Sequence, residues 1–304
     1  QCFKPARAMK PEAAKEAEPS CPACRMRAMD PMNPMLEAAR GLLKLLVLQP
    51  PLLPPNAKQE AKLKFTLNLP RLQQWRKEKQ NVEVRMVSLD NFKAHQTWPN
   101  SLTFQVNDRK VFEITEGLAG HKRRDLPRTI SAELKSGPNK IEVTVHDTNV
   151  QKYALAVVRS QAQTVRDLVK RVPVKNAEES KQRVVDLLFH SMLEGSGTEV
   201  QVEGHDRSRL ICPITLARID TPARGVKCGH LQCFDLSAYL VSNMRMKVVN
   251  SRWHCPICDI RLQPPKDLFI DAYVLKVLAD AEANAEEVQF DTLGEWKVSA
   301  TAAS

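Results

Sequence analysis

The sequence predicts an α+β protein of more than one domain, in which a β-rich domain precedes a cysteine-rich, metal-binding domain. Three observations predict this order. Short apolar segments with a period of two occupy residues 82–158, and helical periodicity follows as far as residue 193. Five of the eight cysteines then fall within residues 212–258. With 304 residues, the chain is long enough for two modest domains and their linkers.

The β-rich domain is predicted from segments that alternate apolar and polar residues, a pattern typical of half-buried strands. Turn-forming residues, such as Asn107-Asp108 and residues 136–139, separate the segments. The basic run at residues 121–124 is expected to be a solvated loop rather than a binding site. The predicted strands are residues 82–89, 102–106, 110–114, 128–134, 140–145 and 153–158.

Residues 1–60 are rich in Ala, Pro, Met and charge, and they are predicted to form a disordered or weakly ordered arm. Residues 35–48 within this arm are expected to form a short amphipathic helix. Cys21 and Cys24 have ligand spacing, but no second pair lies nearby, so a chance pair is favoured over a metal site. The role of the arm, and whether the chain is full length, stay open.

Two helices are predicted at residues 164–171 and 178–193. Asn176 and Glu179 have capping-box spacing at the start of the second helix. Its apolar stripe is expected to be packed and consists of Val184, Val185, Leu187, Leu188 and Met192. The predicted boundaries are an arm at 1–60, a β-rich domain at 61–160, a helical linker at 161–199, a zinc domain at 200–263, and a C-terminal helix with an acidic tail at 264–304.

Composition narrows the class of protein. The longest apolar run, residues 42–48, is too short to span a bilayer, and no signal-peptide pattern is visible. The cysteines are too sparse for a secreted disulfide scaffold, so the nucleus or cytoplasm is expected. The net charge of +10 favours nucleic acid or acidic partners, with a solvated basic surface as the alternative.

The cysteine cluster contains two close pairs of metal ligands, separated by a helix-sized segment. Cys228 and His230 form one pair, and Cys255 and Cys258 form the other. Three thiolates and one imidazole suit a tetrahedral zinc ion, and protein side chains fill all four positions. This pattern predicts one structural zinc; His254, beside a ligand, is assigned to the surface.

A two-zinc RING would need four more ligands, but the residues at the corresponding positions are Cys212, Thr215, Cys233 and Asp235. A threonine hydroxyl does not replace a thiolate, so hydrogen bonds and packing among these four residues are expected to fill the vacant second site. For Cys233, burial is favoured over a nucleophilic role, because apolar residues follow it.

The stretches CPITLARIDTPARGVKCGHLQCFDLSAYL, WHCPICDIRL and LFIDAYVLKVL resemble the SP-RING (MIZ-type zinc finger) of Siz/PIAS SUMO ligases over about residues 200–282. The zinc ligands of that family fall on the four residues chosen above. Residues 126–130 and the strands after them are similar to the PINIT domain of the family. The resemblance implies an α+β multidomain fold: a PINIT-like β-sandwich, a helical linker, a single-zinc RING-like domain and a C-terminal helix.

The resemblance also implies a function: a SUMO ligase that binds the SUMO-charged conjugating enzyme without forming a covalent intermediate of its own. The enzyme-binding residues map onto Ile214, Pro256 and Ile257, and packing of Ile214 against Ile257 is the alternative. The PINIT-like domain would bind protein substrates, and the expected location is the nucleus, with the cytoplasm as a second compartment. The basic candidates for contact with SUMO or the enzyme are Arg218, Arg224 and Lys227, although a solvated position is favoured for each residue alone.

Two other functions stay open: a ubiquitin-type RING ligase, and a non-enzymatic transcription coregulator that binds nucleic acid. No SAP-type DNA-binding helix pair is visible in the sequence. Residues 288–291 are the best candidate for a SUMO-binding motif, although an acidic tail is favoured there. Substrates and oligomeric state are left open.

Overall fold

The computed structural model describes residues 21–36, 41–48, 61–91, 94–117, 123, 125–146, 151–195, 206–246 and 252–299. The chain divides into two compact units, Gln1–Gln163 and Thr164–Ser304, called unit 1 and unit 2 below. Among the described residues, no helix combines the length and the apolar character that crossing a membrane requires.

The described part of unit 1 contains two antiparallel four-stranded sheets, with strand orders β1-β8-β3-β6 and β2-β7-β4-β5. Its elements are α1 (Pro22–Ala28), β1 (Leu42–Leu48), β2 (Ala61–Leu69), α2 (Leu72–Lys77), β3 (Gln80–Ser88), β4 (Leu102–Val106), β5 (Arg109–Ile114), β6 (Arg128–Thr129), β7 (Gly137–Val145) and β8 (Tyr153–Gln161).

The two sheets bury one common apolar core, so the predicted β-sandwich is confirmed. Strand alternation explains much of this core: Leu67 and Leu69 of β2 are buried, whereas Thr66 and Asn68 beside them are exposed. Alternate residues of strands β3, β4, β7 and β8 also belong to the cluster. The turn at Asn107-Asp108 has positive φ at both residues, as a tight hairpin requires.

The expectation of a disordered arm with a helix at residues 35–48 is wrong where the structure describes this part of the chain. Residues Leu42–Leu48 form β1, which pairs along β8 at the edge of the first sheet. Helix α1 lies earlier, and Met26, Met29 and Met35 pack on the outer face of that sheet. The run of Leu and Val forms a strand because it pairs with β8 along its whole length. On the outer face, the small residues Ala154 and Ala156 of β8 leave space for the methionines.

A buried polar network attaches residues 21–36 to the first sheet. The Arg85 guanidinium is fully buried and forms an ion pair with Glu83, whose carboxylate also accepts a hydrogen bond from Ser160. Arg85 also donates to the carbonyl oxygens of Met26 and Asn33. Because both partners of the ion pair are buried, this network is costly to break.

The basic run at residues 121–124 is described only at Arg123, which is an internal clamp. Its guanidinium donates to the carbonyls of Trp98, Asn100 and Thr115, and it pairs with Asp125. The expected solvated loop is therefore wrong for Arg123, and the other three residues of the run lie outside the described residues.

Unit 2 contains a long helix, three short helices and small sheets of strand orders β12-β11-β13-β9 and β10-β14-β15 among its described residues. Its elements are α3 (Val165–Arg171), β9 (Val174–Lys175), α4 (Ala177–Gly195), β10 (Arg207–Arg209), β11 (Pro222–Gly225), β12 (Phe234–Asp235), α5 (Leu236–Arg245), β13 (Leu268–Asp271), α6 (Ala272–Asp280), β14 (Glu287–Phe290) and β15 (Trp296–Val298).

The predicted helical linker is an integral part of unit 2. Helix α4 starts with the expected cap, since the Asn176 side chain accepts the backbone N–H of Glu179 at 2.8 Å. Its residues Val184 and Leu188 are buried against α6 and β14, as expected of a packed stripe, while nothing is described of the Met192 side chain. Strand β9, just before α4, pairs in parallel with β13.

The C-terminal helix is present as α6, but the predicted acidic tail is wrong. Residues 287–298 instead form an antiparallel hairpin, and β14 lies between β10 and β15. Val288 and Phe290 are buried in the core of the unit. Residues 288–291 therefore offer neither a free strand edge nor exposed apolar side chains for SUMO.

We expect Arg85→Ala to lower the free energy of unfolding by about 3–5 kcal/mol, because it leaves the Glu83 carboxylate buried without its cation. Urea unfolding followed by tryptophan fluorescence measures this change. Lys110→Ala is the matched control, since it removes an exposed pair with Glu113 and should change the free energy by less than about 1 kcal/mol. Equal effects of the two substitutions would contradict the structural role of the network.

Candidate metal centre

The first two ligands, Cys228 and His230, lie in the loop that leaves β11. The backbone N–H of Cys228 donates to the Gly225 carbonyl at 3.1 Å, which turns the loop sharply. Gly225 itself is required for space: a Cβ atom there would lie 2.6 Å from the Cys228 Sγ and 2.4 Å from a Leu262 methyl group. The sequence analysis missed Gly225. Its position three residues before the ligand Cys228 could have indicated that the residue matters for the loop.

The other two ligands, Cys255 and Cys258, lie in a tight turn after α5. The Asp259 N–H donates to the Cys255 carbonyl at 3.0 Å, and the Cys255 N–H donates to the Ile260 carbonyl at 2.8 Å. Asp259 has positive φ, which aspartate tolerates better than most residues. This turn, residues 255–260, is called the second knuckle below.

The structure brings the four predicted ligands together, with all four ligand atoms within 4.8 Å of one another. The Sγ atoms of Cys228 and Cys258 are 3.7 Å apart, and His230 Nε2 is 3.2 Å from Cys255 Sγ. A tetrahedral zinc ion with Zn–S bonds of about 2.3 Å requires sulfur atoms about 3.8 Å apart. Both the donor set and the spacing therefore fit one structural zinc ion.

The orientation of His230 also fits a metal ligand. Its Nδ1 atom is 2.8 Å from the Gln232 carbonyl oxygen, which accepts only, so Nδ1 carries the proton. The neutral ring then has its lone pair on Nε2, the atom that lies against Cys255. Metal-ligating histidines are commonly held in this way by a backbone carbonyl.

Charge in the cluster is distributed unevenly between two neighbouring thiols. The Cys228 thiol donates a hydrogen bond to Cys255, which lowers the pKa of Cys255 to about 3 and raises the pKa of Cys228. The hydrogen bond therefore favours the thiolate form of Cys255. Zinc binds cysteines as thiolates, so a coordinating metal would displace the thiol protons of the cluster.

A second turn of the same construction lies at residues 212–217, called the first knuckle below. The Leu216 N–H donates to the Cys212 carbonyl at 2.9 Å, and the Cys212 N–H donates to the Ala217 carbonyl at 2.8 Å. Leu216 has a φ of 57°, against 58° for Asp259. Thr215 therefore stands where the second knuckle has the ligand Cys258.

The first knuckle is held by hydrogen bonds. The buried Cys212 sulfur accepts the backbone N–H groups of Ile214 and Asp235 at 3.4 and 3.3 Å. The Asp235 carboxylate is occupied by three backbone N–H groups, including that of Ala238, which it caps at the start of α5. Thr215 is exposed and contributes no described hydrogen bond, so the expected network forms without it.

Cys233 is fully buried, and desolvation raises the pKa of its thiol to about 12. Its neighbour Gln232, which the sequence analysis missed, joins β10 to this region. The Gln232 side chain accepts the N–H of Arg209 and donates to the carbonyls of Arg209 and Cys233. A polar side chain thus bridges two segments where a two-zinc domain would have a second metal.

Full burial contradicts the expected partner contact of Arg224, and internal hydrogen bonds occupy the guanidinium of Arg218. Arg218 donates to four carbonyl oxygens at and after the end of α6, including that of Ala285 at 2.7 Å. Arg224 is fully buried, pairs with Asp271, and donates to the carbonyls of His230 and Leu231. Lys227 is exposed.

The predicted enzyme-binding residues lie on the two knuckles and reach the surface. Ile214 is partly exposed, Pro256 is exposed, and 38% of the Ile257 side-chain surface is accessible. Leu216 was not singled out from the sequence, although 77% of its surface is accessible. The described apolar clusters contain neither Ile214 nor Ile257, so they do not support packing of one against the other.

His254 was assigned to the surface. It is partly exposed, contacts Asp259, and is not one of the four grouped ligands.

The fold and the metal centre define a protein with a RING-like zinc finger that holds one metal. Residues 208–261 match the family model of the MIZ/SP-RING zinc finger. The curated relatives include the E4 SUMO-protein ligase PIAL2 of Arabidopsis thaliana, which is 32% identical over 66% of this chain and 24% of its own length. The E3 SUMO-protein ligase pli1 of Schizosaccharomyces pombe is 30% identical over 54% of this chain and 21% of its own.

A solved structure has a similar fold. The crystal structure of the S. cerevisiae SUMO E3 ligase SIZ1 aligns with a TM-score of 0.55 at 18% identity, covering 87% of this chain and 93% of that one. These comparisons confirm the resemblance to the Siz/PIAS SUMO ligases. The chain spans about a quarter of the length of the curated relatives named above.

We expect the two knuckles to respond differently to the same substitution at equivalent positions. Cys258→Ala removes a zinc ligand and should reduce bound zinc from one equivalent to well below one, with loss of the cooperative thermal transition of unit 2. Thr215→Ala should keep one equivalent and change the melting temperature little. Elemental analysis and calorimetry check both, and zinc loss in Thr215→Ala would contradict the assignment.

Proposed function

We propose that this protein is a SUMO ligase that promotes transfer of SUMO from a conjugating enzyme to substrate lysines. The observation that supports this most strongly is the pair of knuckles: one is built on zinc, the other on hydrogen bonds, and both expose apolar residues. The naming of PIAL2 and pli1 as SUMO-protein ligases supports the same activity. In this proposal the apolar tips of the knuckles, at Ile214, Pro256 and Ile257, bind the conjugating enzyme.

The chemistry in this proposal belongs to the conjugating enzyme. The ε-amine of a substrate lysine attacks the carbonyl carbon of the SUMO thioester, the enzyme thiol leaves, and an isopeptide bond forms. The ligase contributes by restricting the orientation of the thioester and bringing the lysine close, and such positioning lowers the entropic part of the barrier. Leu216, two residues after Ile214 on the first knuckle, extends the proposed contact surface.

The state of the five cysteines in unit 2 supports transfer without a covalent ligase intermediate. A thioester-forming cysteine needs an accessible sulfur and a thiol that ionises readily. Cys233 is buried and its thiol pKa is raised to about 12. Cys228, Cys255 and Cys258 belong to the metal group, and Cys212 is buried.

Unit 1 is proposed to act as the PINIT-like domain that binds protein substrates. Its charge supports a separate role from that of unit 2: unit 1 has 27 Lys and Arg against 16 Asp and Glu, and unit 2 has 18 against 19. The basic excess of the chain therefore lies entirely in unit 1, which favours acidic substrate surfaces.

We propose a nuclear location for the protein. Imaging of the tagged protein in cells tests this proposal.

Nucleic-acid binding is a second candidate function, and the basic excess of unit 1 is the observation that favours it. Binding of this kind weakens steeply with salt because it releases counterions. Fluorescence anisotropy with a DNA duplex at 50 and 200 mM salt would detect it. Affinity that is absent at both concentrations would exclude this role.

We expect purified protein to accelerate substrate modification in a reaction with SUMO, its activating and conjugating enzymes, and ATP. A parallel reaction with ubiquitin and its enzymes should show no acceleration, because the proposed partner is the SUMO-conjugating enzyme. Gel analysis of lysine-linked product measures both rates. Acceleration with ubiquitin alone would replace the proposed function by that of a ubiquitin ligase.

We expect Ile214→Ala and Ile257→Ala each to slow SUMO transfer by about 5- to 30-fold while zinc content stays at one equivalent, since each removes about 1–2 kcal/mol of apolar contact. Leu293→Ala is the control, because it removes an exposed apolar side chain that lies outside both knuckles, between β14 and β15. Loss of zinc in Ile214→Ala would show that this residue supports the fold and does not contact the enzyme.

A further inference from the structure

The loop that contains Cys228 and His230 is held by two arginines from different elements. Arg183 of α4 donates to the carbonyl oxygens of Val226 and Cys228 at 2.7 and 2.8 Å. Arg224 of β11 donates to those of His230 and Leu231 at 3.3 and 3.2 Å. Each of the two metal ligands is therefore held through its own backbone carbonyl by one guanidinium.

The two guanidinium groups share a platform, the ring of Phe269 on β13. Both lie 5.8 Å from the ring centroid, and the Lys175 ammonium lies 4.7 Å from it. Phe269 is fully buried, and Asp271, two residues later on the same strand, pairs with Arg224. The aromatic face and the carboxylate thus fix the cations in place.

Charge gives the arrangement a second effect. Three thiolates and a neutral imidazole around a doubly charged zinc ion have a net charge of −1, and cations next to the loop stabilise it. Outer groups that orient metal ligands typically change metal affinity by about 10–100-fold when they are removed. We propose that Arg183 is a positioning residue of the metal centre, so that helix α4 controls how tightly the zinc-binding loop holds its metal.

This proposal rests on the metal site alone and does not depend on SUMO transfer. Arg183 lies outside residues 208–261, the part that matches the MIZ/SP-RING family model. The zinc finger is therefore not self-contained in this protein. Of the two arginines, Arg183 is the better one to test, since removal of Arg224 would leave the buried Asp271 carboxylate without its cation.

The test is the rate of zinc release from the full chain to an excess of a chromophoric chelator, 4-(2-pyridylazo)resorcinol, at 25 °C. We expect Arg183→Met to release zinc about 10-fold faster than the wild type. Arg183→Lys keeps the charge but not the two-pronged donor, and it should fall between them. If Arg183→Met does not fold, Arg183→Lys alone decides, and release at the wild-type rate would overturn the proposal.

Two controls separate this effect from general ones. Lys181→Met removes a cation from the same helix that pairs with Glu295, and it should leave the release rate unchanged. Val184→Ala removes a buried side chain from the same helix, and it should lower the melting temperature without faster release. A rate for Arg183→Met equal to the wild type, or matched by either control, would overturn the proposal.

Discussion

The metal centre is the interaction on which the rest of unit 2 depends, because its four ligands join two loops that are separate in the sequence. Cys228 and His230 come from the loop after β11, and Cys255 and Cys258 come from the second knuckle after α5. A structural zinc ion provides about 10–16 kcal/mol of apparent binding free energy for such regions.

The first knuckle shows that the same turn can be built without a metal. Its backbone hydrogen bonds and its positive φ at Leu216 match those of the second knuckle. Where a thiolate would bind zinc, the Cys212 sulfur accepts N–H groups, and the Asp235 carboxylate caps α5. Two surfaces of similar shape are thus presented by one metal and one network of hydrogen bonds.

Features that depend on local residue identity could be predicted from the sequence. The four ligands follow from residue type and spacing, and strand β4 follows from alternation at residues 102–106. Strand β2 has the same alternation in AKLKFTLNL and lies within the predicted domain at 61–160, but the strands predicted there begin only at residue 82. Strand β1 and the C-terminal hairpin were missed because their stability comes from pairing with distant strands.

The clamping arginines could not be predicted for a related reason. Arg123, Arg183, Arg218 and Arg224 all donate to backbone carbonyls, and any residue type can provide a carbonyl, so the sequence contains no signal of the partner. From the sequence alone, these residues look like an ordinary basic surface. In the structure their guanidinium groups are occupied by hydrogen bonds within the fold, and this leaves the exposed apolar knuckles as the better candidates for partner contact.

X-ray absorption spectroscopy at the zinc edge, combined with elemental analysis, tests the central claim most directly. The account predicts one zinc per chain, with three sulfur neighbours at about 2.3 Å and one nitrogen neighbour at about 2.0–2.1 Å. Two zinc ions per chain, four sulfur neighbours, or well-folded protein without zinc would contradict it.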